Sequence, residues 1–146
     1  MCGCGARHWG LYGAAGLLLA RRGPDGRATD VVLQHRALWS DQGGTWALPG
    51  GAREPDETAV QAALREAHEE AGVDVSTVAV RGEHVLTHPD WSYTTVLADA
   101  LAPFTPAATD AESIEVAWVA LDDVAARPLL PAFADAWPLL RTRLDP

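Results

Sequence analysis

Residues 51–73 read GAREPDETAVQAALREAHEEAGV. Thr58, with Gln61 three residues on, forms a capping-box pattern, and Gly72 offers a left-handed stop. The spacing predicts a helix over Ala59–Ala71. Val60, Ala63, Leu64, Ala67 and Ala71 recur at helical intervals, so one apolar stripe faces a core. Glu66, Glu69 and Glu70 fall at i, i+3 and i+4 and gather on one flank. Like charges so placed cost about 0.2–0.5 kcal/mol per pair. They also sit in the last turn, where the helix dipole disfavours anions. A helix selected for stability alone would carry Lys or Arg there. Two readings stay open on the charges alone. A solvated acidic face is the commoner one. A seat for a hard divalent cation is the sharper one, because Mg²⁺ prefers carboxylate oxygens and water.

The neighbouring residues bear on that choice. Pro49-Gly50-Gly51 precedes the helix and offers backbone free of side-chain obstruction. Gly51, five residues, Glu57, seven residues, then Arg65-Glu66-Ala67-His68-Glu69-Glu70-Ala71-Gly72-Val73 fills every fixed position of a 23-residue signature. This segment resembles the Nudix box, and the approach Trp46-Ala47-Leu48-Pro49-Gly50 is similar to what precedes the box in that family. Outside the box the likeness lies in the order of strands and helices.

The resemblance implies an α/β/α sandwich around a central mixed β-sheet. It implies a loop–helix–loop that holds Mg²⁺, with Mn²⁺ as a substitute, against a substrate diphosphate. Carried over by position, Glu66, Glu69 and Glu70 are the carboxylate ligands, and the Gly50 carbonyl joins them. Glu57 and Arg65 orient those carboxylates. Arg65, Glu66, Glu69 and Glu70 are the catalytic set, with Glu66 the candidate general base. The family often adds an acid from a later loop. Glu112 is favoured over Glu115 by its spacing before Trp118. The implied reaction is hydrolysis of a diphosphate linkage in a small nucleotide. A nucleoside triphosphate, as in the MutT-like branch, competes with a nucleotide sugar such as ADP-ribose, for which Pro89 is a hint of position. The alternative is a regulatory module of the same fold that binds a nucleotide without cleaving it. Dimers are common in the family, so a homodimer is also an expectation.

Elsewhere the chain alternates strand and helix signals. Residues 11–20 (LYGAAGLLLA) follow Arg7 and vaguely resemble a signal peptide, but ten apolar residues are too few to span a membrane. They read better as a buried strand, joined to a second at Val31–Arg36 through Gly23-Pro24-Asp25-Gly26. Trp46–Leu48 is a short extended piece. Val78–Leu86, Tyr93–Leu101 and Val116–Leu121 are predicted strands, and Pro103–Asp110 a loop. Leu121–Ala126 and Pro131–Leu144 are predicted helices, the second disturbed by Pro138. Interleaved strands and helices predict a mixed sheet covered on both faces.

The 146 residues suit one domain, 1–146, with 1–10 as a flexible N-terminal segment. The formal net charge of −9 argues against a nucleic-acid polymer or an anionic membrane as partner. It leaves a small phosphorylated substrate open, because a bound metal reverses the local sign. Cys2 and Cys4 are one residue apart and make no disulfide framework, and only His8 is near enough to join them on a metal. A reduced, cytoplasmic protein is expected. For the substrate, Arg36 is a candidate phosphate contact, and Trp39, Trp46, Trp91 and Tyr93 are candidate base-stacking rings. Trp46 and Trp91 are preferred, although most of the six tryptophans are expected in the core. His35, His84 and His88 carry no motif, and His68 is expected on the exposed side of the helix.

Overall fold

Residues 17–19 are three leucines in a row, and all three are buried. A strand apolar on both faces belongs in the middle of a covered sheet. That is where the computed structural model, which describes residues 13–38, 43–88, 91–109 and 113–144, places it. This strand, β1 (Ala14–Arg22), pairs in parallel with β6 (Trp91–Ala100), and β6 pairs antiparallel with β5 (Val78–His88). On its other side β1 meets β2 (Ala28–Arg36), which pairs along its far edge with β7 (Ser113–Ala120). The result is the mixed sheet expected. The Gly23–Gly26 turn closes with a bond from the Gly26 N–H to the Gly23 carbonyl, 3.0 Å.

Side chains alternate between two cores. Ala15, Leu17, Leu19 and Val32 pack under α1 (Ala59–Ala71) against Ala62, Ala63, Ala67 and Ala71. Leu18, Ala20, Val31 and Leu33 pack on the opposite face under α3 (Pro131–Arg143), against Phe133, Trp137 and Leu140. Helices therefore cover both faces, which is the α/β/α arrangement. The alanines of α1 let that helix lie close to the sheet.

β1 and β2 pair only near Ala20–Arg22 and then splay apart. The chain from 46 to 52 fills the gap. It first lies along β2 as β3 (Trp46–Ala47), then crosses to β1 as β4 (Gly50–Ala52). Pro49 accepts the Leu17 N–H at the crossing, 2.9 Å. The crossing needs glycine. A Cβ on Gly50 would lie 2.5 Å from the Ala15 carbonyl oxygen, and one on Gly16 would collide with the Tyr93 hydroxyl.

Several boundaries differ from expectation. β4 was not expected, because Pro49-Gly50-Gly51 reads locally as a turn. Val75–Thr77 forms a 3₁₀ turn capped by Asp74. The predicted Leu121–Ala126 helix is a single turn, α2 (Leu121–Val124). Pro138 does not interrupt α3, whose Phe133, Trp137 and Leu140 are held in the core on both sides of it. Cys2, Cys4, His8 and the expected flexible segment 1–10 lie outside the described residues, as do Trp39 and Pro89. Among the described residues no helix is long and apolar enough to cross a membrane.

Gly16→Ala should lower stability by about 1–3 kcal/mol, the usual range for overpacking, measured by chemical denaturation. Removing the obstructing oxygen with Tyr93→Phe should recover part of that loss. An equal loss in both backgrounds would show that the Gly16–Tyr93 contact is not the constraint.

Candidate active site

Helix α1 is built as its sequence predicts. The Thr58 hydroxyl accepts the Gln61 N–H and the Gln61 side chain accepts the Thr58 N–H, while Gly72 turns left-handed at φ 71°. A loop from another part of the chain then seals the far end. The Ala107 and Thr109 N–H groups donate to the Ala71 and Glu70 carbonyls, at 3.2 and 3.3 Å, and the Thr109 hydroxyl donates to the Glu69 carbonyl. These donors satisfy carbonyls that a helix end leaves open.

The three clustered acids are not equivalent. At 3.6 residues per turn, Glu70, Glu66 and Glu69 lie roughly 60°, 100° and 160° around the axis from buried Ala67. Burial follows that order. Glu70 is 2% exposed, and the side chains of Glu66 and Glu69 are 16% and 54% exposed. Val60 and Leu64, expected in the apolar stripe, are only partly buried, and the sheet-facing side turns instead toward Ala62 and Glu70.

Glu70 reaches into the gap between the splayed strands. Its Oε1 accepts the Gly50 N–H at 3.2 Å, and its Oε2 accepts from Gln34 Nε2 at 3.3 Å. Gln34 Nε2 also donates to Ser113 Oγ at 2.6 Å. Tyr93 stands close by. Burial raises its pKa, the charge of Glu70 adds to the effect, and Arg36 opposes it. Two substrate-site candidates, Arg36 and Tyr93, are thus electrostatic neighbours at the Glu70 end of the helix.

Arg65 organises the other acids. Its Nε and Nη2 donate to the two oxygens of Glu57 at 2.6 and 2.9 Å. Nη1 reaches Glu66 Oε1 at 2.9 Å and Glu69 Oε2 at 3.5 Å, and Nη2 also binds the Ala52 carbonyl at 3.1 Å. One guanidinium therefore joins three acids to the β4 backbone and offsets their mutual repulsion. The Glu54 N–H adds a further bond to Glu57. These bonds, above all those from Arg65, lower the Glu57 pKa from 4.5 to about 2.

The model of the NUDIX domain family matches residues 12–142. The chain belongs to the Nudix family. RenU, a Nudix hydrolase of M. smegmatis with a crystal structure, is 50% identical, with a TM-score of 0.87, covering 98% of this chain and 91% of that one. A Mycobacterium tuberculosis protein named putative 8-oxo-dGTP diphosphatase 3 is 51% identical over 94% of this chain and 65% of its own length. A Bifidobacterium longum nucleoside triphosphate pyrophosphatase/Nudix hydrolase fusion protein is 48% identical over 99% of this chain and 30% of its own length. The chain thus spans less than two thirds of these two curated relatives.

Nudix hydrolases generally use a divalent metal, and the donor set on α1 suits one in kind. Glu66, Glu69 and Glu70 offer hard oxygens. Gly51 leaves open the space that a Cβ would occupy, 2.8 Å from the Glu66 carboxyl group. Among the described residues, however, no three His, Cys, Asp or Glu groups stand together as a closed ligand set. Glu69 is turned to solvent beside Arg65.

Other candidates fall in different places. Trp46 is a core residue and not a stacking platform: it is 8% exposed, and its ring stacks on His35 with centroids 4.5 Å apart. Trp91 begins β6, but its side chain is outside the described part, and Glu112 is outside it entirely. Glu115 is exposed on β7, opposite His35. His68 is exposed, as expected, with Nδ1 3.0 Å from the Val73 carbonyl. Gln34 and Ser113 were not anticipated. The available signal was Gln34 itself, a polar residue directly after the buried run Val31-Val32-Leu33.

The Glu57 shift has a pH signature. A carboxyl whose pKa is lower in the folded state adds stability at pH above its ordinary value of 4.5. That contribution declines as pH falls from 4.5 toward about 2. Glu57→Gln should therefore lose stability at neutral pH and show a shallower decline over that window in denaturation series. Acid limbs that run parallel would contradict the Arg65–Glu57 assignment.

Proposed function

We propose that the chain hydrolyses a diphosphate linkage in a small nucleotide, acting on Mg²⁺ or Mn²⁺ held by Glu66, Glu69 and Glu70. The observation that carries this reading is Glu70, a carboxylate 2% exposed on a helix whose other acids are braced by Arg65. Burying a carboxylate is costly unless it is hydrogen-bonded, and a stable fold would fill that place with an apolar side chain in lieu of Glu70 and the donors from Gly50 and Gln34 that hold it. A bound divalent ion would neutralise phosphate oxygens and lower the pKa of a water molecule.

The protein's own groups have separate tasks. Glu57 and the Ala52 carbonyl fix the Arg65 guanidinium, and Arg65 fixes Glu66. Glu66 is assigned as the base that takes the proton from the attacking water. Arg36 is assigned to the substrate phosphates, supplying positive charge in a chain whose net charge is −9. Water adds to one phosphorus as the bridging P–O bond breaks. A nucleoside triphosphate would give the monophosphate and pyrophosphate.

That substrate class is preferred over a nucleotide sugar, because a relative 51% identical to this chain carries the name putative 8-oxo-dGTP diphosphatase 3. A non-catalytic nucleotide-binding module is the second reading. It draws on the lack of a closed three-acid cluster among the described residues.

A panel of nucleoside triphosphates, 8-oxo-dGTP and ADP-ribose with Mg²⁺, analysed for products, separates these readings. Release of pyrophosphate from a triphosphate is expected, and Glu70→Gln should reduce turnover at least about a hundredfold, the range seen when a metal ligand or general base is lost. Tight nucleotide binding in calorimetry without metal or turnover would favour the second reading.

A further inference from the structure

Gln34 and Glu70 are two of four buried polar side chains among the described residues, and they bond to each other. Gln34 lies on β2 beyond the point where β2 leaves β1, and it shares the α1 face of the sheet with Val32. Both protons of its Nε2 are used, one on Glu70 Oε2 and one on Ser113 Oγ. Its Oε1 is buried with no hydrogen-bond partner. In the orientation seen the amide nitrogen, not its oxygen, faces Glu70 Oε2 at 3.3 Å.

A residue kept here for packing alone would be apolar. Leucine or methionine fills such a place without stranding a buried acceptor. The amide brings what those residues lack, a neutral donor that orients a carboxylate without cancelling its charge. A lysine or arginine would orient it too, and would also compete with a cation for it. The Gly50 N–H holds the other oxygen from the opposite half of the split sheet, so the carboxylate is fixed from both sides.

We propose that Gln34 is a positioning residue: held by Ser113, it fixes the orientation of the Glu70 carboxylate. This rests on the reading of Glu70 as a metal-holding group. It places a functional residue on β2, outside the 51–73 signature.

The test compares wild type, Gln34→Met, Glu70→Gln and the double variant. Mn²⁺ affinity is read by electron paramagnetic resonance, kcat and KM by nucleotide hydrolysis, and thermal midpoints in chelator. Gln34→Met should weaken Mn²⁺ binding about 10- to 100-fold, the usual cost of losing a ligand's hydrogen-bond partner. It should lower kcat while KM shifts less than about threefold, the split expected when positioning and not substrate binding is lost. Added to Glu70→Gln, it should cause little further loss. Wild-type Mn²⁺ affinity and kcat in Gln34→Met, or losses that simply add in the double variant, would overturn the proposal. If the wild-type protein binds no Mn²⁺ and cleaves no nucleotide, the proposed function fails separately. The midpoints then decide on Gln34: non-additive changes support its hold on Glu70, and additive changes overturn it.

Discussion

A buried carboxylate set between two parting strands is the constraint on which this structure turns. β1 and β2 separate after a short stretch of pairing, and the segment 46–52 crosses the opening from one to the other. Glu70 closes the opening from above, taking an N–H from Gly50 on one side and an amide from Gln34 on the other. Helix position, strand crossing and acid orientation are thereby one arrangement. Gly16 and Gly50 lie opposite each other in the β1–β4 ladder and leave the crossing chain its room. The loop carrying Ala107 and Thr109 closes the same end of the helix from a third direction.

The second organising force is the charge on Arg65. Three acids on a short surface would repel one another, and two of them sit near the negative end of a helix. Arg65 answers this locally by donating to both oxygens of Glu57 and reaching Glu66 and Glu69. Exposed ion pairs contribute little on their own. This one is partly buried, two-pronged and tied to the backbone at Ala52, so it positions side chains and does more than decorate a surface. Glu70 takes its hydrogen bonds from Gly50 and Gln34 of the sheet.

What could be read from sequence follows the range of each interaction. The capping box at Thr58 and Gln61, the Gly72 stop and the Glu57–Arg65 spacing are local patterns, and the helix appears with the predicted ends. The apolar run 11–20 was legible as a buried strand, and Leu17, Leu18 and Leu19 are buried in β1. Pairings between distant segments were not legible: nothing in Pro49-Gly50-Gly51 says that it crosses to Ala15 and Gly16. Trp46 was ambiguous for a similar reason, since a core ring and a stacking platform have the same sequence, and its partner His35 is fixed by β2–β3 pairing. The burial of the three glutamates was not legible, and their angle from Ala67 assigns them to core, edge and solvent. Gln34 was hidden because a polar residue near a strand end ordinarily points to water.

Anomalous diffraction from a crystal soaked in Mn²⁺ tests the central claim most directly. A single strong peak within coordination distance of both the Glu66 and Glu70 carboxylates is the predicted result, with Gln34 still bonded to Glu70. A peak only among exposed carboxylates elsewhere, or none at these two residues at saturating Mn²⁺, would contradict the account.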